Sequence, residues 1–337
     1  MKICIYTAQI SNGIRVIIDN LIKKLKERSI EAVMIMDLSE AAEDDYVIPY
    51  GIKESIQLSK TNRPLDISFL VDAVSLGYLN KIKFYVKKGL VFRYDFFYSV
   101  YAYIKWSRQD KRMPSLYKEI MMVSQTDIDY IKKLAPKNNC NFICVKNGAN
   151  IENIKPKDIS NNFRIGVLCD WTLKLVFQES DWFVFRYFRK FSEDHPNVKL
   201  IIAGRGELAN SFKKEKNVEV MGEVGSLDEF FSKIDLFVAV NPKGCGILNR
   251  VLDSYVHKTC VLGLPAVFSG FPQSDKFSYK FDTYESFVER MEYIMNHTNE
   301  RKKFEEDGYR YVRENYDWDK NYTKLAEKVI EISNCKK

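Results

Sequence analysis

Gly244 and Gly246 frame Lys243 and Cys245, and Asn249, Arg250 and Asp253 follow closely. Glycines let a backbone come near a ligand, and the N–H groups at a helix start carry the positive end of the helix dipole. Together they suit a phosphate. Asn249 and Asp253 are four residues apart and share a helix face. A cation such as Arg250 would balance a diphosphate, and a carboxylate such as Asp253 would accept from ribose hydroxyls. An ordinary strand–helix crossover with a solvated helix start has the same local pattern, so on these residues alone both readings stand.

The flanking elements must hold this loop in place. Residues 235–240 form a short, mostly apolar run, which predicts a buried parallel strand. Within 247–257, Val251, Leu252, Tyr255 and Val256 recur at helical spacing. Residues 261–264 predict the next strand. The chain opens in the same way. Residues 2–6 (Lys-Ile-Cys-Ile-Tyr) predict a strand, 11–15 a turn, and Ile14, Ile17, Ile18, Leu21, Ile22 and Leu25 an amphipathic helix before a strand at 32–36. A second strand–helix series starts at 163–168.

Gly246-Ile247-Leu248-Asn249-Arg250-Val251-Leu252-Asp253-Ser254 resembles the donor-site helix of GT-B glycosyltransferases. The closest pattern is that of the large retaining family that includes sucrose and glycogen synthases and many bacterial polysaccharide transferases. Further segments resemble that family in the same order. They are the serine turn at 121–126, Val145-Lys146-Asn147-Gly148-Ala149-Asn150, Ala203-Gly204-Arg205-Gly206 after an apolar strand, the strand at 218–222 and Tyr316-Asp317-Trp318. Each short match is weak, and their shared order carries the resemblance.

The resemblance implies an α/β chain of two Rossmann-like domains facing a cleft. It places an N-terminal acceptor-side domain over 1–150, a nucleotide-sugar domain over 151–308, and a final helix over 309–337 that crosses back to the first domain. It also implies a metal-independent transferase without cofactor, working in bacterial surface polysaccharide or lipopolysaccharide synthesis. Gly13, Gly204, Arg205, Cys245, Gly246, Ile247, Leu248, Asn249, Arg250 and Asp253 would meet the donor, with Asp253 on the ribose. Arg250 and Lys174 would neutralise the departing diphosphate, an electrostatic task.

Two positions depart from the family pattern. Cys245 stands where the family's first glutamate falls, and a thiol is a poor acceptor. Asp170 stands near the family's arginine, so Arg250 or Arg205 would have to supply that charge. These departures leave room for a non-catalytic GT-B scaffold. A sugar-nucleotide epimerase shares the fold but needs a set of carboxylates and a histidine that the chain does not display.

The acceptor side is less legible. His195, His257 and His297 all lie in the second half, two as surface residues and His257 as a helix C-terminal partner. Asp95 and Asp72 remain as acceptor-side candidates, and Asp95 as the candidate base. In this family a retaining reaction uses the leaving phosphate instead of a base, and the missing histidine leans that way. Asp127-Ile128-Asp129 and Asp317-Trp318-Asp319 read as helix caps and not as metal ligands.

Composition bounds the class. The chain has 337 residues, 46% hydrophobic and 29% charged, which suits two domains and excludes wholesale disorder. No apolar run approaches the ~20 residues of a spanning helix, and the first residues predict a strand and not a signal peptide. Seven scattered cysteines suit reduced thiols in a cytoplasm. The net charge of +7 is concentrated in 81–118, where ten Lys and Arg face two Asp among many aromatic residues. That mixture suits the inner face of an anionic membrane, where the protein would be peripheral. It also suits single-stranded nucleic acid, the less favoured partner, or a half-buried ring cluster with solvated cations.

Overall fold

The computed structural model describes residues 2–8, 12–151 and 154–334, which fall into two compact units. The first comprises Met1–Leu79, Ser99–Gly148 and Tyr316–Lys337, and the second Asn80–Tyr98 and Ala149–Asn315. The second unit therefore includes a stretch that a boundary at 150 leaves in the first.

In the first unit, β1 (Ile3–Tyr6) lies between β2 (Ala32–Ile35) and β3 (Tyr46–Pro49), all parallel. Between β1 and β2 runs α1 (Asn12–Lys26), which buries Ile17, Ile18, Leu21 and Leu25 as the periodicity predicts. The predicted turn at 11–15 is instead helical from Asn12, which puts Gly13 in the first turn of α1; Ser11 lies outside the described residues. After β3 come α2 (Ile52–Leu58) and β4 (Ile67–Val71). Tyr50 forms a parallel bridge to Phe69, and the Gly51 N–H donates to the Phe69 carbonyl at 2.8 Å, so β3 runs beside β4. The chain continues through α3 (Val74–Lys87) and α4 (Tyr94–Leu116), whose residues within 80–98 belong to the second unit, and then β5 (Glu119–Met122), α5 (Gln125–Leu134) and β6 (Asn141–Cys144), with β4, β5 and β6 parallel.

The second unit is one six-stranded parallel sheet. Its strands are β7 (Phe163–Leu168), β8 (Val198–Ala203), β9 (Val218–Gly222), β10 (Leu236–Ala239), β11 (Cys260–Gly263) and β12 (Ser278–Lys280), in spatial order β12-β11-β10-β7-β8-β9. The crossovers use α6 (Lys174–Trp182), a six-residue π turn (Phe183–Phe188), α7 (Arg189–Asp194), α8 (Leu227–Ser232) and α9 (Asn249–Val256). Beyond β12, α10 (Tyr284–Asn296) and α11 (Thr298–Asn315) close the unit. Strands such as Leu236–Ala239 are buried at every position because helices cover both faces, which explains their continuous apolar runs.

The predicted final helix from 309 is two helices. α11 ends at Asn315, and α12 (Trp318–Asn334) begins after Asp317, whose carboxylate caps it by accepting from the Lys320 N–H at 2.9 Å. α12 belongs to the first unit. It packs on α1, pairs Asp319 with Lys24 at 2.8 Å and Glu327 with Arg28 at 2.9 Å, and seats Trp318 against Gly148.

Candidate functional site

Strand order reverses in the second unit between β7 and β10, the central pair of its sheet. In open parallel sheets, ligands bind beyond the carboxyl ends of the strands at such a reversal, because the two crossovers leave in opposite directions and open a crevice. The loops there are 169–173, 204–206 and 240–248. They carry Gly204, Arg205, Cys245, Gly246, Ile247 and Leu248, with Lys174, Asn249, Arg250 and Asp253 on the helices that follow.

The first two loops are locked together. Trp171 is fully buried, edge-on to Phe212, and its indole N–H donates to the Ala203 carbonyl at 2.8 Å. The Trp171 N–H donates to the Arg205 carbonyl at 2.8 Å. Gly204 (φ +124°) and Gly206 (φ +112°) permit this approach. A Cβ at Gly204 would stand 1.8 Å from the Cys169 carbonyl oxygen, and one at Gly206 would stand 2.3 Å from the Thr172 nitrogen. Asp170 accepts from Arg205 through Nε at 3.1 Å and through its terminal nitrogen at 2.8 Å, and from the Thr172 hydroxyl at 2.6 Å. Arg205, then Thr172, hold the Asp170 carboxyl down at about 2. Arg205 is thus paired with Asp170, and Lys174 stands exposed at the first position of α6.

The glycine loop is held from a distant part of the chain. The Asn241 side-chain oxygen accepts from the Lys243 N–H at 2.8 Å, an Asx turn that starts the loop. Gly244 adopts φ +48°, and a Cβ there would lie 2.4 Å from the Ala266 carbonyl oxygen. The Asn80 amide, midway along α3, donates to the carbonyls of Lys243 at 3.2 Å and Gly244 at 2.8 Å. Gly246 is buried, and Cys245 is half-buried and outside any disulfide. α9 then starts without a side-chain cap, because its N-cap residue is Leu248. Helix starts of this kind offer N–H donors to an anion.

Asp253 lies half-buried in α9, one turn beyond the exposed Asn249. Burial pushes its carboxyl up to about 7, against the pull of Arg250. Among the described residues, no hydrogen-bond donor reaches this carboxylate. A half-buried acceptor without an internal donor is suited to ligand hydroxyls.

Other candidates stand apart. Asp95 is 2% exposed and pairs with Arg93, which also meets Asp181 at 3.4 Å. This geometry encloses its carboxyl against Arg93 and does not leave it open to an acceptor. Asp72 is half-buried just past β4, beside Val71 at φ +72°, a strained value for a β-branched residue. Gly13 is exposed on α1, in the first unit. Asp127 accepts from the Ser124 hydroxyl and from the Ala73 N–H, the latter at 2.8 Å, tying two loops of the first unit together. His257 ends α9, with Nδ1 2.7 Å from the Asp253 carbonyl and Nε2 3.2 Å from Asp228. Sequence reasoning missed Asn80 and Trp171, whose roles exist only through long-range contacts. The positive-φ glycines after β8 and β10 were the one local signal of the locked loops.

No family model matches the chain. An uncharacterized glycosyltransferase of Methanocaldococcus jannaschii is 33% identical over 72 residues, which is 19% of this chain and 18% of that protein. Among solved structures, HepE of Anabaena, in complex with UDP and glucose, superposes with a TM-score of 0.69 at 12% identity, covering 98% of this chain and 99% of that one. TarM of S. aureus gives 0.64 at 14% identity over 87% of this chain, which spans 55% of its length. WaaG, a glycosyltransferase involved in lipopolysaccharide biosynthesis, gives 0.57 at 14% identity over 97% of this chain and 98% of its own. The fold is the GT-B fold of glycosyltransferases.

Proposed function

We propose that this chain is a glycosyltransferase that moves a sugar from a nucleotide-sugar donor to a glycan or lipid-linked acceptor with retention of anomeric configuration. The observation that carries the reading is the Asp253 carboxylate, half-buried and without an internal donor, one turn into an uncapped helix at the strand-order reversal. HepE, a neighbour in fold, is described in complex with UDP-glucose. In this reading Asp253 accepts from the ribose hydroxyls, the amides around Gly246 meet phosphate, and Arg250 and Lys174 balance its charge. The bond from the anomeric carbon to the diphosphate breaks, and a bond to the acceptor oxygen forms. The acceptor proton passes to the leaving phosphate oxygen, so no side-chain base is required, in keeping with the burial of Asp95. Stabilising the departing diphosphate is the main electrostatic task and needs no metal. Assembly of bacterial surface polysaccharide or lipopolysaccharide is the setting this reading favours.

A peripheral site on the inner face of an anionic membrane is part of the proposal, and α4 supports it. The helix is inverted: Asp95, Ser99 and Asp110 are on its buried side, while Tyr94, Phe97, Tyr98, Tyr101 and Ile104 are exposed. Exposed Lys105, Arg108, Lys111 and Arg112 follow. Aromatic rings with flanking cations suit a lipid interface. Among the described residues, no helix is long and apolar enough to cross a membrane.

Thermal shift with UDP, GDP, ADP and CMP, on wild type and Asp253→Ala, tests the donor site. A nucleotide at ~100 times its dissociation constant should stabilise by about 2.7 kcal/mol. The expected result is a shift with one nucleotide that the variant loses. No shift with any nucleotide favours a scaffold in which Asp170 and Cys245 mark a lost site. Turnover of a nucleotide-sugar without acceptor favours an epimerase.

A further inference from the structure

A second cavity, of about 320 Å³, lies in the second unit and is lined by none of the residues of the three loops at the strand-order reversal. Three segments form it: the connection after α3, the π turn and the start of α10. Its floor is apolar and aromatic. Leu90, Trp182 and Tyr187 are buried, Trp182 and Tyr187 meet edge to face at 4.9 Å, and Tyr284 closes one side at 5.5 Å from Tyr187. Its rim carries Lys87, Lys88, Arg186, Asp282, Thr283 and Glu285.

The backbone beneath is unusual. The Arg189 N–H donates to the Val184 carbonyl, five residues back. Single π turns inside helices widen the register by one residue and often occur at functional sites, because they re-aim the side chains that follow. Here Trp182, Arg186 and Tyr187 all line the cavity.

The charges are arranged unequally. Lys87 pairs with Asp282. Lys88 is half-buried, donates to the Tyr187 hydroxyl at 2.7 Å and to the Asp282 carbonyl, and lies 5.1 Å from the Trp182 ring and 4.8 Å from the Tyr187 ring. Burial lowers its pKa. Among the described residues, neither Lys88 nor Arg186 forms an ion pair. The aromatic rings offset part of the cost of half-burying an ammonium, and an anion entering the cavity would complete its compensation. The α10 start is not itself the anion site, since the Glu285 carboxylate engages the Thr283 hydroxyl and its own N–H there.

We infer that this cavity binds a cyclic polyol phosphate: a phosphorylated sugar, or the inositol-phosphate headgroup of a lipid. The phosphate lies against Lys88 and Arg186, the hydroxyls donate to Asp282 and Glu285, and the ring covers Tyr187 and Tyr284. The volume lies near the lower end of ligand pockets, about 300–1,000 Å³, which suits a single ring. The inference stands apart from the donor reading and needs no nucleotide.

Calorimetric titration of the full chain with glucose 1-phosphate, inorganic phosphate and glucose tests it, beside Arg186→Gln. Arg186 is exposed, so the variant keeps the fold. Tighter binding of glucose 1-phosphate than of glucose, weakened about tenfold in Arg186→Gln and unchanged in Asp253→Ala, supports a soluble source. Flotation with vesicles of equal charge, containing phosphatidylinositol or phosphatidylserine, tests the lipid source. A preference for phosphatidylinositol that Arg186→Gln abolishes supports it. Glucose 1-phosphate binding that Arg186→Gln leaves unchanged overturns the inference, as does the absence of both binding up to about 10 mM and a vesicle preference.

Discussion

Asp253 and Asp170 are two carboxylates at one end of one sheet with opposite environments. Asp170 has Arg205 and Thr172 and is held low; Asp253 has burial, only partly offset by Arg250, and is held high. The sign for Asp253 follows from linkage. A carboxyl whose folded pKa is about 7 binds protons in the native state that the unfolded chain has released, so stability falls as pH rises from about 4 to 7. Asp253→Asn should therefore raise the unligated protein's stability at pH 8 by about 2 kcal/mol and have little effect near pH 4. Thermal melts across pH check this, and equal gains at both ends would refute it. The same ionisation should tighten nucleotide binding as pH rises through 7, because the charged carboxylate is the better acceptor. The place of Asp253 one helical turn from Asn249 was legible in the sequence, because a four-residue spacing survives in any α-helix. Asp95 misled for the converse reason: an acid beside aromatic residues looks accessible until Arg93 and Asp181 are seen around it.

At the scale of elements, α4 shows how far burial can invert a sequence pattern. An aromatic run in a soluble chain ordinarily predicts core, yet Phe97 is 58% and Tyr101 62% exposed while Asp110 is fully buried. Asp110 accepts from the Ser75 N–H at 2.8 Å, and burial raises its carboxyl to about 7. Replacing Phe97 and Tyr101 by Glu should leave stability within about 0.5 kcal/mol, because exposed side chains contribute little. It should reduce binding to phosphatidylglycerol vesicles about tenfold, through lost apolar insertion and added like charge. Co-sedimentation measures this, and unchanged partition would remove α4 as the contact. The π turn had no periodic signal, since one inserted residue looks like helix on either side. The locked glycine loops were visible only as glycines. Their partners, Cys169 and Ala266, come from other loops of the sheet.

At the scale of the whole chain, the final helix completes the first unit. α12 buries Tyr322, Leu325, Ala326 and Val329. Each large apolar side chain so buried contributes about 1.5–3 kcal/mol. Truncation after Asn315 should therefore destabilise the first unit by several kcal/mol and expose the α1 face. Limited proteolysis should then cut the first unit well before the second, and equal resistance of both would show that α12 contributes little. The parallel α/β class, the strand–glycine loop–helix at 235–257 and the α1 stripe followed from the sequence alone. They rest on periodicity and local backbone freedom, which act over a few residues. Only the tertiary structure decided that 80–98 joins the second unit, that Asn80 holds the glycine loop, that Arg205 meets Asp170 and that α4 faces outward with its rings. Each of those depends on which distant segments share a surface, and burial sets that for the chain as a whole.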